Sequence, residues 1–191
     1  VGLINGINAL YGNILSKELV KAIHLAESGA YKDALSICRK IKANNISNPT
    51  YYNVVGIVCR RLGLLDEAVL HSKRAIQLDK SLIAAKMNIA NIELQRGEIN
   101  DAIKMFEVII NEEPLYKEAK ANLALAYKNT GKIKESINIY EKLENSGALS
   151  LKARFNYGIT LVTFGSFKSG WRYYEYRWEV SPGNKVKWPF S

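Results

Sequence analysis

The sequence predicts an all-α solenoid, about five antiparallel helix pairs stacked one after another. Three observations carry that expectation. Gly29, Gly63, Gly97, Gly131 and Gly165 follow one another at intervals of 34 residues. Five residues after each stands a small residue: Ala34, Ala68, Ala102, Ser136 and Gly170. Seven residues before each stands another: Ala22, Gly56, Ala90, Ala124 and Gly158. A fixed period of this length marks stacked supersecondary units. Small residues at fixed phases let two helix backbones approach closely, where a larger side chain would hold them apart.

The elements follow in order. Residues 1–14 carry Leu3, Ile4, Ile7, Leu10 and Tyr11 at helical spacing, weakened by Gly2, Gly6 and Gly12. They read as a capping helix or arm, since an uncovered first repeat exposes apolar surface. Residues 15–180 hold five repeats: 15–48, 49–82, 83–116, 117–150 and 151–180. The first helix of each pair ends at the periodic glycine, a favoured helix C-terminus. The second starts near Lys32, Leu65, Asn100, Lys134 and Lys168. Asp33, Asp66, Glu67 and Asp101 lie in those first turns, where negative charge suits the helix dipole. Pro49 opens the second repeat and Pro114 closes the third. Glu18 and Gly170 depart from the pattern in the terminal repeats, and Gly170 costs its helix about 1 kcal/mol relative to Ala. Tyr52, Val55, Cys59, Ile76, Ile89, Phe106, Ile109, Leu123, Tyr127, Tyr140 and Leu143 form the apolar stripes expected to pack between helices. Residues 181–191 read as a tail or a linker to a further domain.

Fragments such as AKANLALAYKNTG (119–131) and GEINDAIKMFEVIINEEP (97–114) carry this phase almost residue by residue. The chain resembles the tetratricopeptide repeat (TPR) over roughly residues 15–180. The resemblance implies a right-handed superhelical solenoid with a concave face lined by the first helices.

Chemistry is sparse. The 191 residues carry 27 Lys and Arg against 18 Asp and Glu, a formal charge of +9. The cations are spread along all repeats and often stand four residues from an acid, so they read as solvated helix faces, not a nucleic-acid surface. No run reaches the ~18 apolar residues of a membrane helix. Cys38 and Cys59, the only cysteines, fall at core positions and suit a reducing, cytoplasmic setting. His24 and His71 stand on helices with no metal-ligating constellation in sequence. No glycine-rich phosphate loop or nucleophile elbow occurs. The sequence therefore predicts no enzyme, no metal and no cofactor.

By phase, the inner positions of the first helices include Asn53, Ile57, Arg60, Met87, Asn91, Leu94, Glu118, Ala121, Leu125, Lys128, Phe155 and Ile159. Asn88, Asn122 and Asn156 recur at 34-residue spacing, with Val54 at that phase in the second repeat and Asn53 one residue early. A side-chain amide offers both a donor and an acceptor and can pair with a peptide unit of any sequence. The series is similar to the asparagine ladder of O-GlcNAc transferase repeats, which implies a grip on a substrate main chain. Asn53, Arg60, Asn88, Asn91, Asn122, Lys128 and Asn156 are thus the expected peptide-binding residues. A carboxylate clamp of the chaperone-binding type is disfavoured: Asn91, Arg60 and Lys128 do not complete its set.

The C-terminal repeat is aromatic. Phe167, Trp171, Tyr174 and Trp178 share one helical stripe, expected to pack inward. Tyr173, Tyr176 and Val180 fall on another side, expected to form an exposed interface unless Val186, Trp188 and Phe190 of the tail cover them. Gly165, Phe167, Gly170, Trp171, Tyr174, Glu175, Arg177 and Trp178 follow the pattern GxFxxGWxxYExRW. This resembles the last repeat of bacterial proteins in which such repeats precede a glycosyltransferase-like domain. The expected function is a non-enzymatic scaffold for an extended peptide or protein segment. The alternatives are a substrate-recruiting accessory domain of a glycosyltransferase-like enzyme, and a module that self-assembles through a terminal face.

Overall fold

A computed structural model describes residues 16–180. The expected arm at 1–14 and tail at 181–191 lie outside those residues. The described chain is helical, with no strand. The helices are α1 (Lys17–Glu27), α2 (Tyr31–Ile41), α3 (Pro49–Arg61), α4 (Leu65–Leu78), α5 (Ile83–Arg96), α6 (Ile99–Glu112), α7 (Lys117–Asn129), α8 (Ile133–Asn145), α9 (Leu151–Phe164), α10 (Phe167–Tyr174) and the short α11 (Arg177–Val180). The second helix of each pair begins within a residue of its expected start. The first helices α3, α5, α7 and α9 begin at residues 49, 83, 117 and 151, again 34 apart.

Local chemistry sets these limits. Ser16, Asn48 and Ser150 cap α1, α3 and α9, each accepting the amide three residues on at 3.1–3.3 Å. Pro49 occupies the first turn of α3, where its missing N–H costs nothing. Each periodic glycine adopts φ between +79° and +92°, a conformation that disfavours any side chain. That turn lets the next amide reach back five residues. Ala30 donates to Leu25 O, Leu64 to Cys59 O, Lys132 to Tyr127 O and Ser166 to Leu161 O, all at 2.8–2.9 Å.

The described residues form two compact units, 16–95 and 96–180. In the first unit α1 packs on α2 and α3 on α4, with α2 also against α3. Leu19, Ala22, Ile23, Ala34, Cys38, Val54, Val58, Cys59, Ala68 and Ala75 form its core. Tyr51 donates from its hydroxyl to Cys38 O at 3.0 Å, and burial, with lesser help from neighbouring groups, pushes that phenol up to about 12. In the second unit α6 packs on α7, α7 on α8, and α9 on both α8 and α10. Ala124, Tyr140, Leu143, Ala153, Tyr157, Leu161 and Tyr173 form its core. Of the expected stripe residues, Ile76 and Tyr127 are only half-buried, and the others are buried. Tyr127 stays near the surface because its hydroxyl donates to the exposed Glu107 at 2.9 Å.

Two small-residue positions show why the phase matters. A Cβ on Gly158 would stand 2.5 Å from the Tyr174 amide nitrogen. One on Gly170 would stand 2.8 Å from the Val162 amide nitrogen. The helix-propensity cost of Gly170 is offset by this close approach of α10 to α9.

Candidate functional site

The asparagine series divides. Asn88, on α5, is only 2% exposed. Its Oδ1 accepts from Arg60 Nε at 2.7 Å, and its Nδ2 donates to Ser72 Oγ at 2.7 Å. Both ends of the Asn88 amide, an expected peptide-binding group, are thus used inside the unit. Arg60, half-buried, serves the same network. A Cβ on Gly56 would meet Ser72 Oγ at 2.5 Å and Asn88 Nδ2 at 3.1 Å, so glycine there makes room for the hub. Asn53 is also buried, at 3% exposure, and its Oδ1 has no hydrogen-bond partner among the described residues. Its depth, too, departs from an open groove position.

Asn91, Asn122, Lys128 and Asn156 are half-buried on α5, α7, α7 and α9. In the second unit α7 and α9 are neighbours, so Asn122 and Asn156 occupy equivalent places on adjacent first helices. Phe155 lies one residue before Asn156. Its ring meets Tyr174 at 5.4 Å, and Tyr174 meets Trp171 edge-on at 5.3 Å. Arg177 lies over both Tyr174 and Trp178, 4.6 and 4.3 Å from the ring centroids. A series of rings therefore leads from a first-helix position to the C-terminal helices.

The expected inward and outward stripes of that end are exchanged in part. Tyr173 is buried: its ring packs on Tyr157 at 4.8 Å and its hydroxyl donates to Glu144 at 3.2 Å. Tyr176 is half-buried, and its hydroxyl accepts from Arg154 at 2.9 Å. Arg154 also pairs with Glu144 at 3.4 Å. The guanidinium is held more basic, mainly by its bond to Tyr176. Tyr173 and Tyr176 are thus not an open interface, although Val180 is 37% exposed. Phe167 and Trp171 instead stand 59% and 54% exposed, next to Phe164 at 49%. The reason is Gly170. It faces α9, Tyr173 lies three residues on along that face, and Trp171, one residue after Gly170, turns away from it. The helix then stops at Tyr174, so a single period does not extend to Trp178.

His71 is not isolated. Its ring nitrogen, the Cys59 sulfur and a Glu67 carboxylate oxygen all lie within 4.8 Å of one another. The sequence hint is Glu67 and His71 four residues apart on one helix face. Cys59 joins them only through the α3–α4 turn. Burial, then the Glu67 charge, pushes the Cys59 thiol up to about 11. Burial lowers the His71 pKa. Elsewhere in the first unit, Lys32, Leu35, Ser36, Arg39, Lys40 and Leu62 line a basic hollow of about 380 Å³ that shares no residue with the groove positions.

Solved structures share this arrangement of helices. TTC0263 from Thermus thermophilus, described as a thermophilic TPR protein, matches with a TM-score of 0.74 at 16% identity, over 87% of this chain and 91% of its own. The fold is that of the tetratricopeptide repeat. MamA (residues 41 to the end) from Desulfovibrio magneticus RS-1 matches with a TM-score of 0.64 at 16% identity, over 90% of this chain and 99% of its own. YrrB, described as a TPR protein with an unusual peptide-binding site, matches with a TM-score of 0.57 at 14% identity, over 96% of this chain and 94% of its own. The family model of the bacterial transcriptional activator domain matches residues 62–152 of the repeats. No curated protein sequence matches the chain. No helix among the described residues is long and apolar enough to cross a membrane.

Proposed function

We propose that the chain is a non-enzymatic protein-interaction module that holds an extended peptide or protein segment along the first helices of its second unit. The observation that carries this is the ring series from Phe155 through Tyr174 to the exposed Trp171, with Asn156 next to Phe155 on α9 and Asn122 and Lys128 on the adjacent first helix α7. Aromatic rings supply large contact area at low entropic cost. Neighbouring amides and a cation supply polar partners for a main chain. The likeness to a repeat protein described as peptide-binding supports the reading.

The test is selection from a random peptide library on tag-free protein, followed by titration of the recovered peptides. Trp171→Ser, or Asn122→Ala with Asn156→Ala, is expected to weaken binding about ten-fold or more, with the melting temperature little changed. Failure to enrich any peptide, or equal affinity in all variants, overturns the reading. The exposure of Phe167 and Trp171 also favours a second reading, in which this end docks a further domain or a second copy. Light scattering across a concentration series separates the two occupants. A mass that rises, and stays monomeric in Trp171→Ser, supports the second copy.

A further inference from the structure

We propose that Cys59, Glu67 and His71 form a binding site for a divalent transition-metal cation of the zinc type. Cys59 lies near the C-terminal end of α3, and Glu67 and His71 lie one turn apart near the start of α4. The turn at Gly63, with φ +79°, reverses the chain and lays α4 back along α3. That reversal brings three donors from two helices within 4.8 Å of one another.

The donor set is chemically specific. One sulfur, one nitrogen and one oxygen suit a borderline cation, and three protein ligands leave a fourth tetrahedral position for water. Ligand distances of about 2.0–2.3 Å give donor separations of roughly 3.3–3.7 Å, so the cluster has only to tighten. Glu67 is exposed and is free to swing inward, while Cys59 is fully buried. The site is thus anchored on its inner side and open on its outer side, which provides an entry path. The His71 ring is held by stacking on Tyr52, 5.9 Å between centroids at 24°. A thiolate and a carboxylate would neutralise a dication, and their mutual repulsion would be relieved by it. Arg39 and Lys42 act on Cys59 and His71 from nearby, and their positive charge opposes a dication, which the thiolate and carboxylate have to outweigh. Binding replaces the Cys59 S–H bond by a sulfur–metal bond and releases that proton to solvent.

Tag-free, reduced, metal-stripped protein is titrated with Co(II) and then with Zn(II). The expected result is a 1:1 thiolate-to-Co(II) band in the near ultraviolet, with visible d–d absorption, both erased by Zn(II). Cys59→Ala should abolish the near-ultraviolet band, and Cys38→Ala should keep it. Glu67→Gln, at an exposed position, and His71→Gln, at a half-buried one, should each weaken Zn(II) binding about ten-fold or more, with helical circular dichroism unchanged. Absence of the band at millimolar Co(II) overturns the proposal. So does a band that survives Cys59→Ala, or Glu67→Gln and His71→Gln variants that bind as tightly as the parent. Should Cys59→Ala fail to fold, the other two variants decide.

Discussion

Asn88 in the first unit and Asn156 in the second share one phase of the repeat but not one environment. Sixteen residues before Asn88 stands Ser72, small, fully buried and able to accept a hydrogen bond. Sixteen before Asn156 stands Tyr140, large and fully buried, its own hydroxyl donating to Ala121 O at 3.3 Å. Behind Ser72 there is room for an amide to sink and become part of the core. Where Tyr140 fills that layer, the amide stays half-buried near the surface. Identical residues at identical phases thus split into a structural member and a candidate ligand contact, and a neighbour one repeat earlier makes the choice.

The comparison can be broken first through its glycines. Gly158→Ala is expected to destabilise the protein by about 3 kcal/mol, because the new Cβ meets the backbone of Tyr173 and Tyr174 at 2.5–2.8 Å. Gly56→Ala should cost less, since the nearest atom is the Ser72 hydroxyl at 2.5 Å, and Ser72→Ala should partly rescue it. Urea unfolding of the three variants checks the order.

Asn88→Ala is expected to cost about 2 kcal/mol, because it strips Arg60 of an acceptor and leaves the buried Ser72 hydroxyl without its donor. Asn156→Ala should stay within about 0.5 kcal/mol. Equal losses in urea titrations would erase the distinction between the two units.

Alkaline unfolding sharpens the comparison further. Burial pushes Tyr157 up to about 12, against about 10 for an unfolded tyrosine. The folded state therefore holds this proton more tightly. Its contribution is intact below pH 10 and is lost as pH climbs from 10 towards 12. Urea midpoints measured between pH 9 and 11.5 should fall less steeply for Tyr157→Phe than for the parent. The smallest effect is expected at the exposed rings: Phe167→Ser and Trp171→Ser should each change stability by about 0.5 kcal/mol or less, whatever they do to binding.

Much of the architecture is legible without any coordinates. The glycines at 29, 63, 97, 131 and 165 need a left-handed turn, and the small residues need a close helix contact. Both requirements are local or pairwise, so a fixed spacing reveals them. The candidate site is less legible. Asn122, Lys128 and Asn156 remain near the surface of their first helices, whereas Asn53 and Asn88 lie deep. Phe167, Trp171 and Tyr173 of α10 come out on the sides opposite to those expected, because a smooth helical period does not survive the break at Tyr174 or the packing demand of Gly170.

The sequence by itself determined the repeat length, the helix pairing and the turn chemistry, since these depend on backbone conformation and on side-chain volume at fixed phases. Only the tertiary structure decided which amide sinks against Ser72, which rings face outward beside Gly170, and that Cys59 meets Glu67 and His71. Those outcomes depend on the space left by residues 8 to 30 positions away in the chain, and that space exists only once the helices have packed.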